Sequence, residues 1–247
     1  MKRRNLFQIL TLVMALSLVL CGCGNSREEI SGTVTPSDNQ PATAPAGEIT
    51  PPEEAAEEPV MSLGRIEGGT YTNSYIGFAI DLDSEWTYYS AEELQEMPEN
   101  VAEMFADSEL GDTINPLTQF TDMMAENVSR MTTINVLYQQ LDMQNRIAFA
   151  TMDEEGILDL TLEQSDMMIE AYAQAGILVS SMEKVPVTFL GEERVGLKTV
   201  STMSDVPYYT LQVFEYRQGE YYATITFASF VEDQTESLVT MCYPVSE

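Results

Sequence analysis

Three carboxylates spaced two residues apart, Asp81, Asp83 and Glu85, could do chemistry together. They follow an alternating apolar segment, and residues two apart point to one side of an extended chain. Carboxylate oxygens arranged in this way could bind Ca²⁺. The segment lacks the glycine and the further ligands of an EF-hand loop, and 40 of the 247 residues are acidic. Asp81, Asp83 and Glu85 are therefore weak metal candidates, and we predict no bound metal or other cofactor.

The composition excludes several classes of enzyme. The chain has no histidine, which removes Ser-His and Cys-His nucleophile pairs and every metal site that needs imidazole. The glycine pair Gly68-Gly69 leads into a predicted strand, whereas a phosphate-binding loop leads into a helix. Two carboxylates are enough for a glycosidase, but among 40 acids the sequence singles out no pair. We predict no catalytic residue.

Residues 1–22 have the layout of a secretory signal peptide. Three positive residues, Lys2, Arg3 and Arg4, precede an apolar run from Leu6 to Leu20. This run is short for a membrane-spanning helix, which needs about 20 apolar residues. The segment is therefore predicted to direct export.

The cysteines give a more specific expectation. The segment Leu20-Cys21-Gly22-Cys23 resembles the lipobox of bacterial lipoproteins, in which a small residue such as Gly22 precedes the modified cysteine. The resemblance implies a diacylglyceryl group on Cys23 and a cleavage that removes Cys21; an ordinary cleaved signal is the alternative. Cys242 is then the remaining thiol, so no intramolecular disulfide is expected. We interpret Cys242 as a small buried side chain and not as a reactive thiol.

Residues 23–62 are predicted to be the lipidated cysteine followed by a disordered tether. They are rich in Pro, Thr, Ser, Ala, Gly and Glu, and such a composition cannot bury enough surface to offset chain entropy. Proline and like-charge repulsion should extend the tether. From the lipid and the tether together, we predict that a single domain, residues 63–247, is held at the extracytoplasmic face of the cell membrane. A tether that crosses a Gram-positive cell wall is an alternative interpretation.

The charge is strongly acidic. After the signal segment the chain carries 40 acidic and eight basic residues, because three of its 11 basic residues lie in that segment. Such a surface repels phosphate backbones and anionic lipid headgroups. We therefore exclude nucleic acid as a partner and exclude membrane attachment through a basic patch. Solubility is the simplest explanation of the charge, and a cation-rich or basic partner is the alternative.

The folded part is organised around an alternating segment. Ile76, Phe78, Ile80 and Leu82 fall on one face of a predicted strand, which a turn joins to Thr70–Thr72 as a hairpin. Trp86, the only tryptophan, follows at once. Further predicted strands, most of them in an antiparallel meander, are Thr132–Leu141, Ile177–Glu183, Val185–Leu190, Arg194–Met203, Tyr208–Tyr216 and Tyr221–Phe230. Pro186 favours an edge position or a break.

Helices are predicted where a capping box opens a periodic segment. Ser90 with Glu93 predicts a helix from Ala91, which Pro98 should kink or end. A second capping box at Thr161 predicts a helix that runs to about Ala175 and ends at Gly176. The other predicted helices are Glu99–Ala106, Pro116–Val128 and Asp233–Cys242, and the segment Asp153–Gly156 is predicted to be a loop.

Methionine and tyrosine each allow two interpretations. The methionines between Met97 and Met131 could form an adaptable binding face, but a place in the core is more common. The tyrosines of the last strands could form an exposed patch for peptide or glycan contact, but burial under a helix layer is favoured. The tyrosines in question are Tyr208, Tyr209, Tyr216, Tyr221 and Tyr222.

The domain resembles the PsbP-like family, to which the photosystem II extrinsic subunit and many bacterial lipoproteins belong. The resemblance rests on Tyr75–Ile80, on Trp86 after the strand, on a middle helix, and on meander strands that end in Tyr221–Phe227 before a closing helix. It covers about residues 68–247. It implies an α+β fold, an α/β/α sandwich whose mainly antiparallel sheet is covered by helices on both faces. It also implies a non-catalytic scaffold used for binding or assembly.

These observations predict a lipid-anchored envelope protein with a non-catalytic binding or assembly role. Its expected partners are the membrane, through the lipid on Cys23, and an envelope protein. The alternative is a solute-binding or hydrolytic envelope protein that uses a carboxylate-lined cleft. A deep pocket with two facing carboxylates would favour the alternative.

Overall fold

The computed structural model of the chain describes residues 61–106, 108, 116–217 and 219–245. Its strands are β1 (Arg65–Glu67), β2 (Thr70–Asn73), β3 (Phe78–Asp81), β4 (Thr87–Tyr88), β5 (Gln119–Asn127), β6 (Thr132–Gln140), β7 (Ile177–Phe189), β8 (Glu192–Met203), β9 (Val206–Tyr216), β10 (Tyr221–Phe230) and β11 (Cys242–Pro244). Its helices are α1 (Ala91–Met104), α2 (Met143–Thr151), α3 (Glu154–Glu163), α4 (Ser165–Gln174) and α5 (Thr235–Val239), and Pro116–Thr118 forms a 3₁₀ turn.

The strands form two antiparallel sheets. The larger has seven strands in the order β4-β5-β6-β10-β9-β8-β7, and the smaller has four in the order β1-β2-β3-β11. The pairs β7–β8, β8–β9 and β9–β10 are the predicted meander, because each strand pairs with the next along the chain. The predicted α+β class with a mainly antiparallel sheet is confirmed.

Both faces of the seven-stranded sheet are covered. On one face, helices α1 to α4 pack through side chains such as Phe105, Phe149 and Leu158. On the other face lie the four-stranded sheet, with Phe78, and α5, with Leu238. Helices therefore cover both faces, as predicted, and the small sheet shares the second face with α5.

Several local predictions are confirmed. The hairpin forms between β2 and β3, and Ser90 and Glu93 make both bonds of the capping box that starts α1. Gly176 follows α4 with a positive φ of 81°, which a glycine adopts without steric cost. The long strand β7 contains Pro186 and is one of the two edge strands of its sheet.

The predicted helix Pro116–Val128 is wrong, because this segment contains strand β5. The ladder with β6 shifts register between Thr121 and Met123, which leaves Asp122 as the extra residue of a bulge. A bulge interrupts the period of two. Met123 and Met124 are also both buried, on opposite faces of a sheet that is covered on both sides. Because of the bulge and the burial on both faces, the apolar residues of β5 have a spacing that resembles that of a helix.

The region after β6 also differs from expectation. The segment Asp153–Gly156 is not the predicted loop but the start of α3. Asp153 accepts a hydrogen bond from the Gly156 backbone N–H at 2.9 Å and so caps this helix. Thr161 does not cap a helix; it lies within α3 and donates to the Ile157 carbonyl at 3.1 Å. Helix α4 starts only at Ser165 and has no side-chain cap. The predicted helix from Thr161 to about Ala175 is therefore two helices, α3 and α4, and α3 begins at Glu154, within the segment predicted to be a loop.

Three further boundaries differ. Helix α1 continues through Pro98, whose neighbours Met97 and Val101 are buried against the rest of the domain, so it is one helix and not two. Strand β7 is continuous where two strands were predicted, with a register shift between Val179 and Ser181. The closing helix α5 is short, and Cys242 belongs to β11 instead.

A buried polar cluster joins the small sheet to the large one. The bulge at Asp122 turns its carboxylate toward the small sheet, where Oδ2 accepts from Tyr71 Oη at 2.7 Å, Asn73 Nδ2 at 2.8 Å and the Gly64 N–H at 2.9 Å. Asn73 Nδ2 is also 2.9 Å from Tyr138 Oη. Burial, and then the Asp122 carboxylate, raise the pKa of both Tyr71 and Tyr138. Both phenols therefore remain protonated near neutral pH.

The cluster predicts a large effect for Asp122→Ala. The substitution leaves Tyr71, Asn73 and the Gly64 N–H without their shared acceptor, so we expect the free energy of unfolding to fall by about 2–4 kcal/mol. Urea denaturation measures the change. The matched control is Asp166→Ala, an exposed aspartate on α4, which should stay within about 0.5 kcal/mol of the wild type. Equal stability of the two variants would contradict this role of Asp122.

Candidate functional site

The candidate site lies where strands β8 and β9 separate. The two strands pair from Met203 with Val206 to Leu197 with Gln212, and their ladder ends there. The first residues of β8, Glu192–Gly196, stay paired with β7 only. The last residues of β9 stay paired with β10 only. An opening in the sheet results between the two strands.

Gly196 stands at the point of separation. A Cβ atom on this residue would lie 2.9 Å from Leu211 Cδ1 and 3.0 Å from the Gln212 carbonyl oxygen, so only glycine allows this approach. Near it, at the end of β7, the Phe189 ring lies 6.0 Å from the ring of Phe78 in the small sheet. The β7–β8 hairpin therefore contacts the small sheet at the end where β8 no longer pairs with β9.

The guanidinium group of Arg194 occupies the opening. Nη2 donates to the Phe214 carbonyl of β9 at 2.9 Å, and Nη1 donates to Glu215 Oε1 at 2.7 Å. Nε is 3.0 Å from both carboxylate oxygens of Glu154. Burial opposes the charge, but the hydrogen bonds to Glu154 and Glu215 outweigh it and raise the pKa of Arg194. Arg194 therefore replaces part of the missing ladder with charged hydrogen bonds.

Both carboxylates are held in place by the surrounding elements. Glu154 opens α3, directly after the capping residue Asp153, and also accepts from the Val195 N–H at 3.3 Å. Glu215 has a side chain only 7% exposed, and its Oε2 lies 3.7 Å from Nη2 of Arg217. Two arginines thus balance the two carboxylates, and neither carboxylate is left unpaired.

A cleft of about 200 Å³ opens beside this ion cluster. Seven of its ten lining residues are aromatic or aliphatic. The Phe149 ring of α2 lies 5.5 and 5.4 Å from the rings of Tyr216 and Tyr222. Tyr216 Oη also donates to the Arg146 carbonyl at 3.3 Å, which fixes α2 over the cleft. The lining residues are Phe149, Ala150, Met152, Glu154, Ile157, Arg194, Phe214, Glu215, Tyr216 and Tyr222. This arrangement suits the binding of an apolar group.

The structure does not bring the three metal candidates into one site. Asp81 Oδ1 accepts from Thr70 Oγ1 at 2.6 Å and from Tyr243 Oη at 3.0 Å. Asp83 caps its own turn through the Glu85 N–H, and Glu85 pairs with a guanidinium at 3.4 Å. Within the described ranges, no group of three or more Cys, Asp or Glu side chains could hold a metal ion.

The remaining candidates fall in the core. Cys242 is 8% exposed, and burial raises the pKa of its thiol, which confirms the interpretation as a buried small side chain. Met97, Met123 and Met124 are buried, as the core interpretation predicted. Of the five tyrosines, Tyr208 and Tyr222 are buried and the other three are half-buried. Cys23, residues 1–22 and the tether up to residue 60 lie outside the described residues.

Sequence reasoning missed the cleft. Arg194, Glu154 and Glu215 lie in three different elements, and none belongs to a motif. One indication was present in the sequence. Arg194 is one of only eight basic residues after the signal peptide, and it begins a predicted strand. Helix α2 was also missed, although Asp142 caps it through the Asn145 N–H at 2.8 Å.

Comparison with known proteins concerns the fold only. No family model matches the chain, and no curated protein matches it. Among solved structures it is similar to the solution structure of cyanobacterial PsbP (CyanoP) from Synechocystis sp. PCC 6803. The identity is 11%, the match covers 76% of this chain and 99% of that one, and the TM-score is 0.40. In the part of the chain that the structure describes, no helix is long and apolar enough to cross a membrane.

The ion cluster predicts a large loss of stability in Arg194→Met. Removing the guanidinium leaves Glu154 and Glu215 as poorly compensated charges, so we expect a loss of about 3–5 kcal/mol near pH 7. Urea denaturation measures the effect.

The control for this experiment is Arg65→Met. The Arg65 side chain is 83% exposed and lies 3.9 Å from Glu67, so its loss should change the free energy of unfolding by less than about 0.5 kcal/mol. If Arg194→Met were as stable as Arg65→Met, the cluster would not hold the strands together.

Proposed function

We propose that this protein is a lipid-anchored extracytoplasmic protein with a non-catalytic binding or assembly role. The observation that carries the anchor is the order of three positive residues, an apolar run and Gly22 before Cys23. Two acyl chains on Cys23 would hold the protein stably, whereas a single chain binds a membrane only marginally. Residues 24–62 would then place the domain at a distance from the bilayer.

The cleft beside Arg194 supports a binding role. The carboxylates of Glu154 and Glu215 both accept hydrogen bonds from Arg194, so their oxygens are engaged in the fold. The hydrolytic alternative asks for a carboxylate-lined cleft, and this cleft does contain two. A general acid and a base, however, would need oxygens that can reach a substrate. The arrangement therefore favours binding over hydrolysis.

The size of the cleft favours a macromolecular partner over a free solute. Pockets that enclose a drug-sized ligand measure roughly 300–1,000 Å³. At about 200 Å³ this cleft is smaller and can receive one or two side chains of a partner protein. Recognition of a partner by inserted apolar side chains is typical of protein interfaces.

Substitution of the two N-terminal cysteines tests the anchor. In Cys23→Ala we expect the protein to leave the membrane fraction, because the acceptor of the lipid is gone. Cys21→Ala is the matched control and should stay in the membrane fraction, since the proposed cleavage removes Cys21. Fractionation of cells, with mass analysis of the N-terminal peptide, measures both outcomes. A Cys23→Ala protein that remained membrane-bound at the normal level would contradict the proposal.

A further inference from the structure

Helix α2 presents its apolar stripe to solvent. Met143, Ile147 and Ala150 have the spacing i, i+4 and i+7, which places them on one face of the helix. Met143 is 67% exposed and Ile147 is 62% exposed. In a surface helix such a stripe normally faces the core. Here the buried residue of the helix is Phe149, and the stripe has no covering element among the described residues.

The stripe continues into the cleft. Ala150 belongs both to the stripe and to the cleft wall, and Met152, which is 37% exposed, follows it at the end of α2. We call the surface formed by Met143, Ile147, Ala150 and Met152, together with the cleft, the α2 groove. Methionine side chains at such a surface adapt to partners of different shape.

The charges at the two ends of the groove are acidic. Asp142 directly precedes α2 and Asp153 directly follows Met152, and both are exposed. Each uses one carboxylate oxygen to cap a helix and keeps its negative charge. The one basic residue of α2, Arg146, lies 3.8 Å from Glu220, and that pair is neutral. The α2 stripe is therefore apolar with an acidic residue beyond each end of the helix, and the charged residues that line the cleft beside it, Glu154, Arg194 and Glu215, are paired with one another.

We propose that the α2 groove binds an amphipathic helical segment of a partner protein with basic residues on its polar face. Its apolar side chains would cover Met143 and Ile147 and enter the cleft, and its basic residues would lie against Asp142 and Asp153. The proposal rests on the binding role proposed above and names the class of partner. A second copy of this chain would place acidic ends against acidic ends, and anionic lipid would be repelled in the same way.

A peptide titration tests this inference with the full-length protein in nanodiscs of zwitterionic lipid. The probe is a fluorescent helical peptide of leucine and lysine, roughly 18 residues long, with its leucines on one face. Two comparison peptides carry glutamate in place of lysine and serine in place of leucine. Fluorescence anisotropy measures binding. We expect the leucine–lysine peptide to bind and both comparison peptides to bind at least about tenfold more weakly.

Two pairs of variants locate the binding surface. The double variant Met143→Ser with Ile147→Ser should bind the leucine–lysine peptide about tenfold or more weakly than the wild type does. The control is the double variant Leu178→Ser with Val231→Ser, which changes two exposed apolar residues outside the α2 groove. It should bind the peptide as the wild type does. Unchanged binding in the Met143/Ile147 variant would overturn the inference.

A further pair tests the charges without removing the caps. Asp142→Asn with Asp153→Asn keeps a capping side chain at both positions, and it should weaken binding several-fold and reduce the dependence on salt. Asp83→Asn with Asp205→Asn is the control for the change in charge. Equal effects of the two pairs would mean that only overall charge attracts the peptide, and this would overturn the inference.

Two more outcomes identify other occupants. Self-association of the wild type that disappears in Met143→Ser with Ile147→Ser would assign the groove to a second copy of the chain. Equal binding of the leucine–glutamate peptide would exclude a basic partner. Either result overturns the inference but leaves the fractionation of Cys23→Ala unaffected, so failure of the partner class and failure of the lipid anchor can be told apart.

Discussion

Burial of the seven-stranded sheet on both faces is the constraint on which the rest of the structure depends. Helices α1 to α4 cover one face, and the small sheet with α5 covers the other. The central strands therefore expose almost no side chain to water, and polar residues are buried among them. Asn135, Thr226 and Gln212 lie in register across three strands and are each at most 2% exposed, and Gln212 donates to Thr226 at 3.2 Å. Such a sheet tolerates few changes in its interior.

The same constraint explains which features could be predicted from the sequence. The β2–β3 hairpin, the Ser90 cap and the meander follow from local patterns, because each depends on residues close together in the chain. Strand β5 does not, since burial on both faces and the bulge at Asp122 hide its period of two. The ion cluster of Arg194 was equally hidden. It forms only when a helix start and two strands meet in space, and no local pattern encodes such a meeting.

The opening between β8 and β9 lies between the packing on one face of the sheet and the cleft on the other. The β7–β8 hairpin places Phe189 against Phe78 at the end where β8 no longer pairs with β9. Arg194 bonds to both sides of the opening, and the aromatic cleft lies beside it under α2. Sheet packing, the ion cluster and the proposed α2 groove are therefore parts of one arrangement.

The contact between Gly64 and Asp122 also has a mechanical meaning. Arg65 faces Thr72 and Glu67 faces Thr70, so the start of β1 is the open end of the β1–β2 hairpin. Tension applied to the preceding chain would peel β1 away one hydrogen bond at a time, which is the weakest direction of loading for a strand pair. The bond from the Gly64 N–H to Asp122 lies ahead of the first rung. It is placed to take the tension first and to pass it into the large sheet.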